Sequence, residues 1–157
     1  MDEDSQAFFT AQRQKYFPKH VNYLTAHITL FHHLPSGEAH IREVLQSLVK
    51  EQSKFSCEVL GLKNMGNGVA YVLDAPPVMV IQKQLQYEFK PYLISQDRHK
   101  IWPHITIQNK VTAFKAQQTF KELQQTFTPC SVEITGLTTW LYLGGPWQHV
   151  DDFLFRE

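Results

Sequence analysis

The segment His27-Ile28-Thr29-Leu30 returns about half the chain later as His104-Ile105-Thr106-Ile107. We call these segments the first motif and the second motif. Side chains alternate between the two faces of a β-strand, so each motif would present a histidine and a threonine on one face and two apolar side chains on the other. Two such strands facing each other would place two imidazoles and two hydroxyls around one space. In a chain with only 8 histidines, this repeat stands well above chance expectation.

The composition describes one compact unit of 157 residues, long enough to bury a core. The 15 basic and 15 acidic side chains give a formal net charge of zero. This balance argues against an overall attraction to long nucleic acid or to an anionic membrane, whereas a small anionic ligand held by local groups is compatible with it. A monomer is compatible with the same composition.

Two cysteines, Cys57 and Cys130, lie far apart and have no CxxC partner. Free thiols in a reducing compartment are therefore expected, rather than a zinc ribbon or a disulfide framework. The acidic N-terminus has no apolar run behind it, and no segment reaches the 18 or more apolar residues of a membrane span. These features predict a cytoplasmic protein without a membrane partner.

The predicted elements follow the same order after each motif: strand, helix, strand, strand. A helix at about 77–90 links the two halves, and residues 5–16 fit either a strand or a helix. The predicted strands lie at about 24–32, 55–62, 69–73, 104–111, 131–143 and 148–155, and the second-half helix lies at about 114–127. Gly136 marks an expected interruption of the long strand near the C-terminus.

This doubled β-α-β-β order predicts an α+β protein in which residues 1–157 form a single bilobal domain. The two pseudo-symmetric lobes would span roughly 20–75 and 100–157 and contain mainly antiparallel sheets. Helices would cover the apolar face of each motif strand. The histidine and threonine faces would then line a central cleft, where ligands usually bind.

Both motifs resemble the His-x-Thr/Ser-x motifs that give the 2H phosphoesterases their name. That superfamily includes bacterial 2′-5′ RNA ligase-like proteins and cyclic phosphodiesterases. Further similarity to a bacterial branch lies in Tyr16-Phe17-Pro18, in residues 103–111 and in Gly144-Gly145-Pro146-Trp147. The sequence departs from the expected pattern at Trp102, where a basic residue is expected before Pro-His.

The resemblance implies a site without metal or cofactor, with His27 and His104 as catalytic residues and Thr29 and Thr106 as phosphate-binding residues. The implied reaction is hydrolysis of a small nucleotide or RNA-terminal phosphoester, such as a 2′,3′-cyclic phosphate, with His27 as acid and His104 as base. The residue chemistry fits independently. An imidazole with an ordinary pKa near 6.5 can give or take a proton around neutral pH, and hydroxyls can stabilise charge on phosphate oxygens.

Four further side chains are predicted to bind the substrate: Arg13, Tyr16, Trp140 and Tyr142. Arg13 and Tyr16 precede the first motif. Trp140 and Tyr142 alternate with leucines, so they would face the cleft and stack on a base, although a structural role in the sheet remains open.

Other functions also remain open. A zinc site at the first motif is disfavoured, because no His-x-His, HExxH or cysteine cluster accompanies it. A non-catalytic protein that binds nucleotides or RNA ends could use the same cleft. Ligation of RNA by a 2′-5′ linkage is the reverse reaction and would use the same groups.

Overall fold

Helices and antiparallel strands alternate along the chain, which confirms the predicted α+β class. The computed structural model describes all 157 residues. The helices are α1 (Glu3–Tyr16), α2 (Ala39–Glu51), α3 (Pro76–Glu88) and α4 (Ala113–Thr126). The strands are β1 (Phe55–Asn64), β2 (Val69–Asp74), β3 (His104–Gln108), β4 (Cys130–Ile134), β5 (Gly136–Tyr142) and β6 (Trp147–Leu154). Short 3-10 turns occupy Lys19–Val21 and Gln96–Arg98.

A four-stranded antiparallel sheet in the order β3-β2-β1-β4 forms the main layer, and β5 pairs with β6 in a separate hairpin. The larger sheet combines β1 and β2 from the first half of the chain with β3 and β4 from the second. The proposed division into lobes at about 20–75 and 100–157 stays a prediction. The second motif begins β3, which is an edge strand of this sheet. One side of β3 is therefore free to receive another segment.

The second motif alternates as its sequence predicts. Ile105 and Ile107 are fully buried, whereas His104 and Thr106 are half-buried on the other face. Helices α1 and α4 pack on the apolar side of the sheet. Period-2 burial therefore holds the histidine and the threonine toward the open face of β3.

The first motif does not form the regular strand that its sequence predicts. Only Ile28 makes a β-bridge, antiparallel with Ile105. The neighbouring backbone groups bond to side chains of α1: Thr10 Oγ1 accepts from the Ala26 amide at 3.1 Å, and Gln6 Nε2 donates to the Ala26 carbonyl at 2.7 Å. Because helical side chains satisfy these groups, the segment lies along β3 without a second strand beside it.

Two stretches that the sequence leaves undecided have simple structural outcomes. Residues 5–16 belong to a helix, whose first turn is capped by Asp2 through a 2.8 Å hydrogen bond from the Ser5 amide. The predicted strand at 131–143 breaks between β4 and β5, as expected at Gly136. A Cβ at this position would lie 2.5 Å from the Phe153 carbonyl oxygen, so the close strand approach requires glycine.

The cysteines and helices agree with the simpler expectations. Cys57 is a buried free thiol and Cys130 is an exposed one, so no disulfide forms. None of the helices combines the length and the apolar character that a membrane crossing needs.

Candidate active site

The bridge between the central isoleucines of the two motifs fixes their register. Directly opposed residues of an antiparallel pair share a face, so His27 lies opposite Thr106 and Thr29 lies opposite His104. The two histidines are diagonal neighbours, a relationship that spans about 7–8 Å across an antiparallel pair. Each histidine therefore stands beside the threonine of the other motif. All four side chains share the face opposite the isoleucines.

Both imidazoles are held in the same way by the backbone two residues earlier. His27 Nδ1 lies 2.8 Å from the Thr25 carbonyl oxygen, and His104 Nδ1 lies 2.7 Å from the Trp102 carbonyl oxygen. A carbonyl oxygen only accepts hydrogen bonds, so Nδ1 carries the proton in each ring. Nε2 of the neutral ring is then a free acceptor, and it becomes a donor when the ring is protonated. Either histidine can act as base or as acid through this one atom.

Burial lowers the pKa of both histidines from the ordinary value. For His27, desolvation is the main cause, and the charges of Arg13 and His104 add to it. For His104, desolvation again dominates, and the charges of His32 and Lys63 act in the same direction. The site therefore prefers neutral imidazoles when it is empty. A bound phosphate would favour proton uptake, because a nearby anion stabilises the imidazolium.

Arg13 is buried beside the motifs and bonded to protein groups, and its role as a ligand contact stays a prediction. Its side chain is 5% exposed and donates to the Thr106 carbonyl at 2.7 Å, the Leu24 carbonyl at 3.1 Å and Asn22 Oδ1 at 3.0 Å. Burial lowers its pKa to about 10, so the guanidinium stays charged at neutral pH. Arg13 instead ties α1 and the approach to the first motif onto β3.

Tyr16 lies at the interface between α1 and α4. Its hydroxyl donates to Glu122 at 2.8 Å, and the ammonium of Lys15 lies 4.6 Å from its ring centroid. A ligand contact through this hydroxyl would require the bond to Glu122 to break. The structure thus gives Tyr16 a packing role that its sequence position did not indicate.

Trp140 and Tyr142 lie on the exposed face of β5, and their predicted position in the cleft stays a prediction. The exposed fractions are 37% for Trp140 and 57% for Tyr142, whereas Leu141 between them is partly buried. Trp140 meets His149 of β6 edge-on, with ring centroids 5.3 Å apart. The indole ring of Trp140 and the phenol ring of Tyr142 are therefore accessible to solvent on this hairpin.

The tip of this hairpin approaches the loop that enters the first motif. A Cβ added to Gly145 at the tip would lie 3.9 Å from the Tyr23 hydroxyl. Tyr142 pairs with Trp147 at the tip end of the hairpin, and their ring centroids are 4.9 Å apart. The hairpin tip thus lies close to the loop that leads into the first motif.

Asp97 is a site-supporting residue that the sequence did not reveal. Its carboxylate is 2% exposed and accepts hydrogen bonds from the His32 amide at 2.9 Å and the His33 amide at 2.9 Å. It also bonds to His32 Nδ1 at 2.8 Å. These bonds anchor the end of the first motif segment to the turn before the second motif. No local pattern marks Asp97, because its partners lie 64 and 65 positions away.

Trp102 stacks on His104, with ring centroids 3.8 Å apart and planes inclined by 12°. The ammonium of Lys63 lies 4.4 Å from the Trp102 ring centroid. The departure from the expected basic residue at position 102 is visible in the sequence, but the lysine that approaches from β1 is not. Nowhere in the structure do three or more His, Cys, Asp or Glu side chains group as metal ligands.

The fold and the paired motifs define an α+β protein of the two-histidine phosphoesterase class. The chain belongs to the 2′-5′ RNA ligase superfamily, whose family model matches residues 1–146. This match confirms the resemblance to the 2H phosphoesterases, while the bacterial branch stays a prediction. A comparison with curated protein sequences found no match.

Solved structures show the same fold at low sequence identity. The protein TT0787 of Thermus thermophilus aligns with a TM-score of 0.67 and 15% identity, over 99% of this chain and 94% of its own. LigT of E. coli, solved in complex with 3′-AMP, aligns with a TM-score of 0.59 and 16% identity, over 100% of this chain and 94% of LigT. A protein described as a phosphoesterase aligns with a TM-score of 0.56 and 17% identity, over 96% of this chain and 93% of its own.

Proposed function

We propose that this protein is a metal-independent phosphodiesterase that hydrolyses a small nucleotide or RNA-terminal phosphoester, such as a 2′,3′-cyclic phosphate. One observation carries the proposal: two imidazoles with free Nε2 atoms share a face with two threonine hydroxyls. Membership of the 2′-5′ RNA ligase superfamily supports a phosphoester substrate. The structural likeness to LigT, which was solved with 3′-AMP, supports a nucleotide.

The two histidines divide the proton transfers of the reaction. Neutral His104 takes a proton from water through Nε2 while the water oxygen forms a bond to phosphorus. Protonated His27 gives its Nε2 proton to the departing ribose oxygen as the phosphorus–oxygen bond breaks. The products are a phosphomonoester and a free hydroxyl, and proton exchange with solvent restores the starting state. In-line displacement needs acid and base on opposite sides of phosphorus, which the diagonal arrangement of the histidines supplies.

The threonines stabilise the phosphoryl group between the imidazoles. Thr29 and Thr106 each stand opposite a histidine, so their hydroxyls can donate to the two non-bridging oxygens, where negative charge grows. This role uses the same face of both segments and needs no movement of the backbone.

The exposed aromatics of the hairpin supply the base-binding part of the proposal. Trp140 and Tyr142 would stack on the nucleobase, since aromatic faces bind bases with little sequence preference. Their partial exposure and the approach of the hairpin tip to Tyr23 support this placement. Water would then attack the phosphoester beside the two motifs while the nucleobase stacks on the aromatic side chains of β5.

Ligation is a second candidate because the superfamily carries that name. In ligation a 5′-hydroxyl takes the place of water and attacks the 2′,3′-cyclic phosphate, so His104 would deprotonate that hydroxyl and His27 would protonate the departing ribose oxygen. RNA with a 2′,3′-cyclic phosphate end and RNA with a 5′-hydroxyl end would be incubated together. A joined 2′-5′ product would favour ligation, and a linear monophosphate would favour hydrolysis.

The direct test is a panel of nucleoside 2′,3′-cyclic phosphates and 2′-5′-linked dinucleotides, assayed with and without EDTA. We expect turnover of at least one substrate at a rate that EDTA leaves unchanged. Measurable nucleotide binding without turnover of any substrate would contradict the proposal and favour a binding protein. Loss of activity in EDTA that added metal restores would contradict the metal-independent mechanism.

A further inference from the structure

The face of the sheet that carries His104 continues across two more strands. Thr106 of β3 pairs with Ala70 of β2, and Ala70 pairs with Lys63 of β1. Directly paired residues share a face, so these side chains lie in one row on the side of the motif histidines. The first motif lies on the opposite flank of β3. Lys63 is therefore on the far side of β3 from His27.

The Lys63 side chain extends from β1 toward Trp102, which precedes β3. Its ammonium lies 4.4 Å from the Trp102 ring centroid, and that ring is stacked on His104 at 3.8 Å. Lys63 takes part in none of the ion pairs of the structure. The side chain is exposed, and Trp102 beneath it is 37% exposed, so a ligand can reach both.

A second side chain with a nitrogen donor, His32, lies close to His104. His32 is held through Nδ1 by the buried Asp97 carboxylate at 2.8 Å, which leaves its Nε2 free. Desolvation is the largest cause of the lowered His104 pKa, and the charges of His32 and Lys63 act in the same direction. Cations gathered beside an imidazole disfavour one another, and a bound anion would relieve this repulsion.

We propose that Lys63, resting on Trp102, forms a second anion subsite on the side of His104 away from His27, and that this subsite binds a phosphate other than the reacting one. Trp102 is the positioning residue that orients both the ammonium and the His104 ring. The ammonium beside position 102 thus comes from β1, which is separated from β3 by β2.

The subsite deepens the proposed function, on which it rests, by specifying the substrate class. A nucleoside cyclic monophosphate has no group to place there. A nucleotide with a further phosphate on its 5′ side, such as the end of an oligonucleotide, would fill both positions. The protein would therefore prefer RNA termini to free cyclic mononucleotides.

The test compares two non-reacting ligands that differ by one phosphate, adenosine 3′-monophosphate and adenosine 3′,5′-bisphosphate, by isothermal titration calorimetry. We expect the unmodified protein to bind the bisphosphate roughly 10-fold more tightly, the scale of one charge-assisted contact. Lys63→Met keeps the apolar stem and should reduce this ratio to about 2 or less. Lys63→Arg should keep most of it.

The matched control is Lys83→Met, which removes an exposed lysine from α3 and should leave the full ratio. Equal affinity for the two ligands in the unmodified protein, or an unchanged ratio in Lys63→Met, would overturn the subsite. Circular dichroism of each variant confirms that the fold is retained. Because neither ligand reacts, the result does not depend on turnover. Absence of hydrolysis would overturn the proposed function alone, and equal affinity for the two ligands in the unmodified protein would overturn the subsite alone.

Discussion

The guanidinium of Arg13 donates a 2.7 Å hydrogen bond to the backbone carbonyl of Thr106, which joins the first helix of the chain to the strand of the second motif. The same side chain bonds to Asn22 and Leu24 on the approach to the first motif. The buried guanidinium of Arg13 therefore links the strand of the second motif to the approach to the first motif. The active face depends on this contact although Arg13 does not line it.

Arg13→Met should destabilise the protein by about 3 kcal/mol or more, because it leaves the Asn22 side chain and two backbone carbonyls without a donor. Urea unfolding measures the change. Arg42→Met removes an exposed partner of Asp151 and should cost less than about 1 kcal/mol. Similar unfolding free energies for the two variants would contradict the role assigned to Arg13.

The maximum of kcat/KM as a function of pH should lie below neutral pH. Both histidine pKa values are lowered, and the reaction needs one imidazole neutral and the other protonated. That form is most populated between the two lowered pKa values, so kcat/KM should peak below about pH 6.5 and fall on both sides. A maximum above about pH 7.5 would show that the imidazoles are not desolvated as described.

The same shifts predict how stability depends on pH. The unfolded chain binds protons at the ordinary histidine pKa near 6.5, whereas His27 and His104 in the folded chain bind them only at lower pH. Stability should therefore be full above about pH 7 and decline as the pH falls through about 6.5. His27→Gln should flatten this decline in unfolding experiments. An unchanged slope in that variant would assign the effect to other groups.

Replacement of either motif threonine by valine should reduce kcat by about 10- to 1000-fold, the range for the loss of one oxyanion donor. Valine keeps the shape and the β-branching, so Thr29→Val and Thr106→Val should fold normally. Thr128→Val, in the exposed loop after α4, serves as the matched control. Activity of either motif variant within a factor of two of the control would remove the hydroxyls from the mechanism.

Trp140→Leu should weaken binding of the nucleotide by about 1–3 kcal/mol, the contribution of one base–aromatic stack. The change should appear in KM, with little effect on kcat, because the side chain would contact the base and not the phosphorus. Steady-state kinetics on a substrate with a base and on a ribose cyclic phosphate without one would separate the two. An equal loss on both substrates would point to a structural role for Trp140.

The second motif could be read from the sequence because its information is local. Strict alternation of His104, Ile105, Thr106 and Ile107 predicts a half-buried strand, and β3 has this form. The alternation fails only at its end. Gln108 would continue the exposed face, but a register shift opposite Val69 turns it into the core, where it bonds to Thr119 at 2.8 Å.

The first motif could not be read in the same way because its neighbours come from elsewhere in the chain. Its strand-like pattern yields a single β-bridge at Ile28, and Gln6, Thr10 and Arg13 of α1 take hydrogen bonds that a second strand would take. Residues that touch across such distances leave no local periodicity. Asp97 and Lys63 were missed for the same reason, since their positions follow from turn and strand register.

The central claim is that one face carries a proton-transfer pair, and the rate of cyclic phosphate hydrolysis in single histidine variants tests it most directly. His27→Ala and His104→Ala should each abolish turnover, while circular dichroism and thermal unfolding show an intact fold. Full activity in either variant would contradict the account.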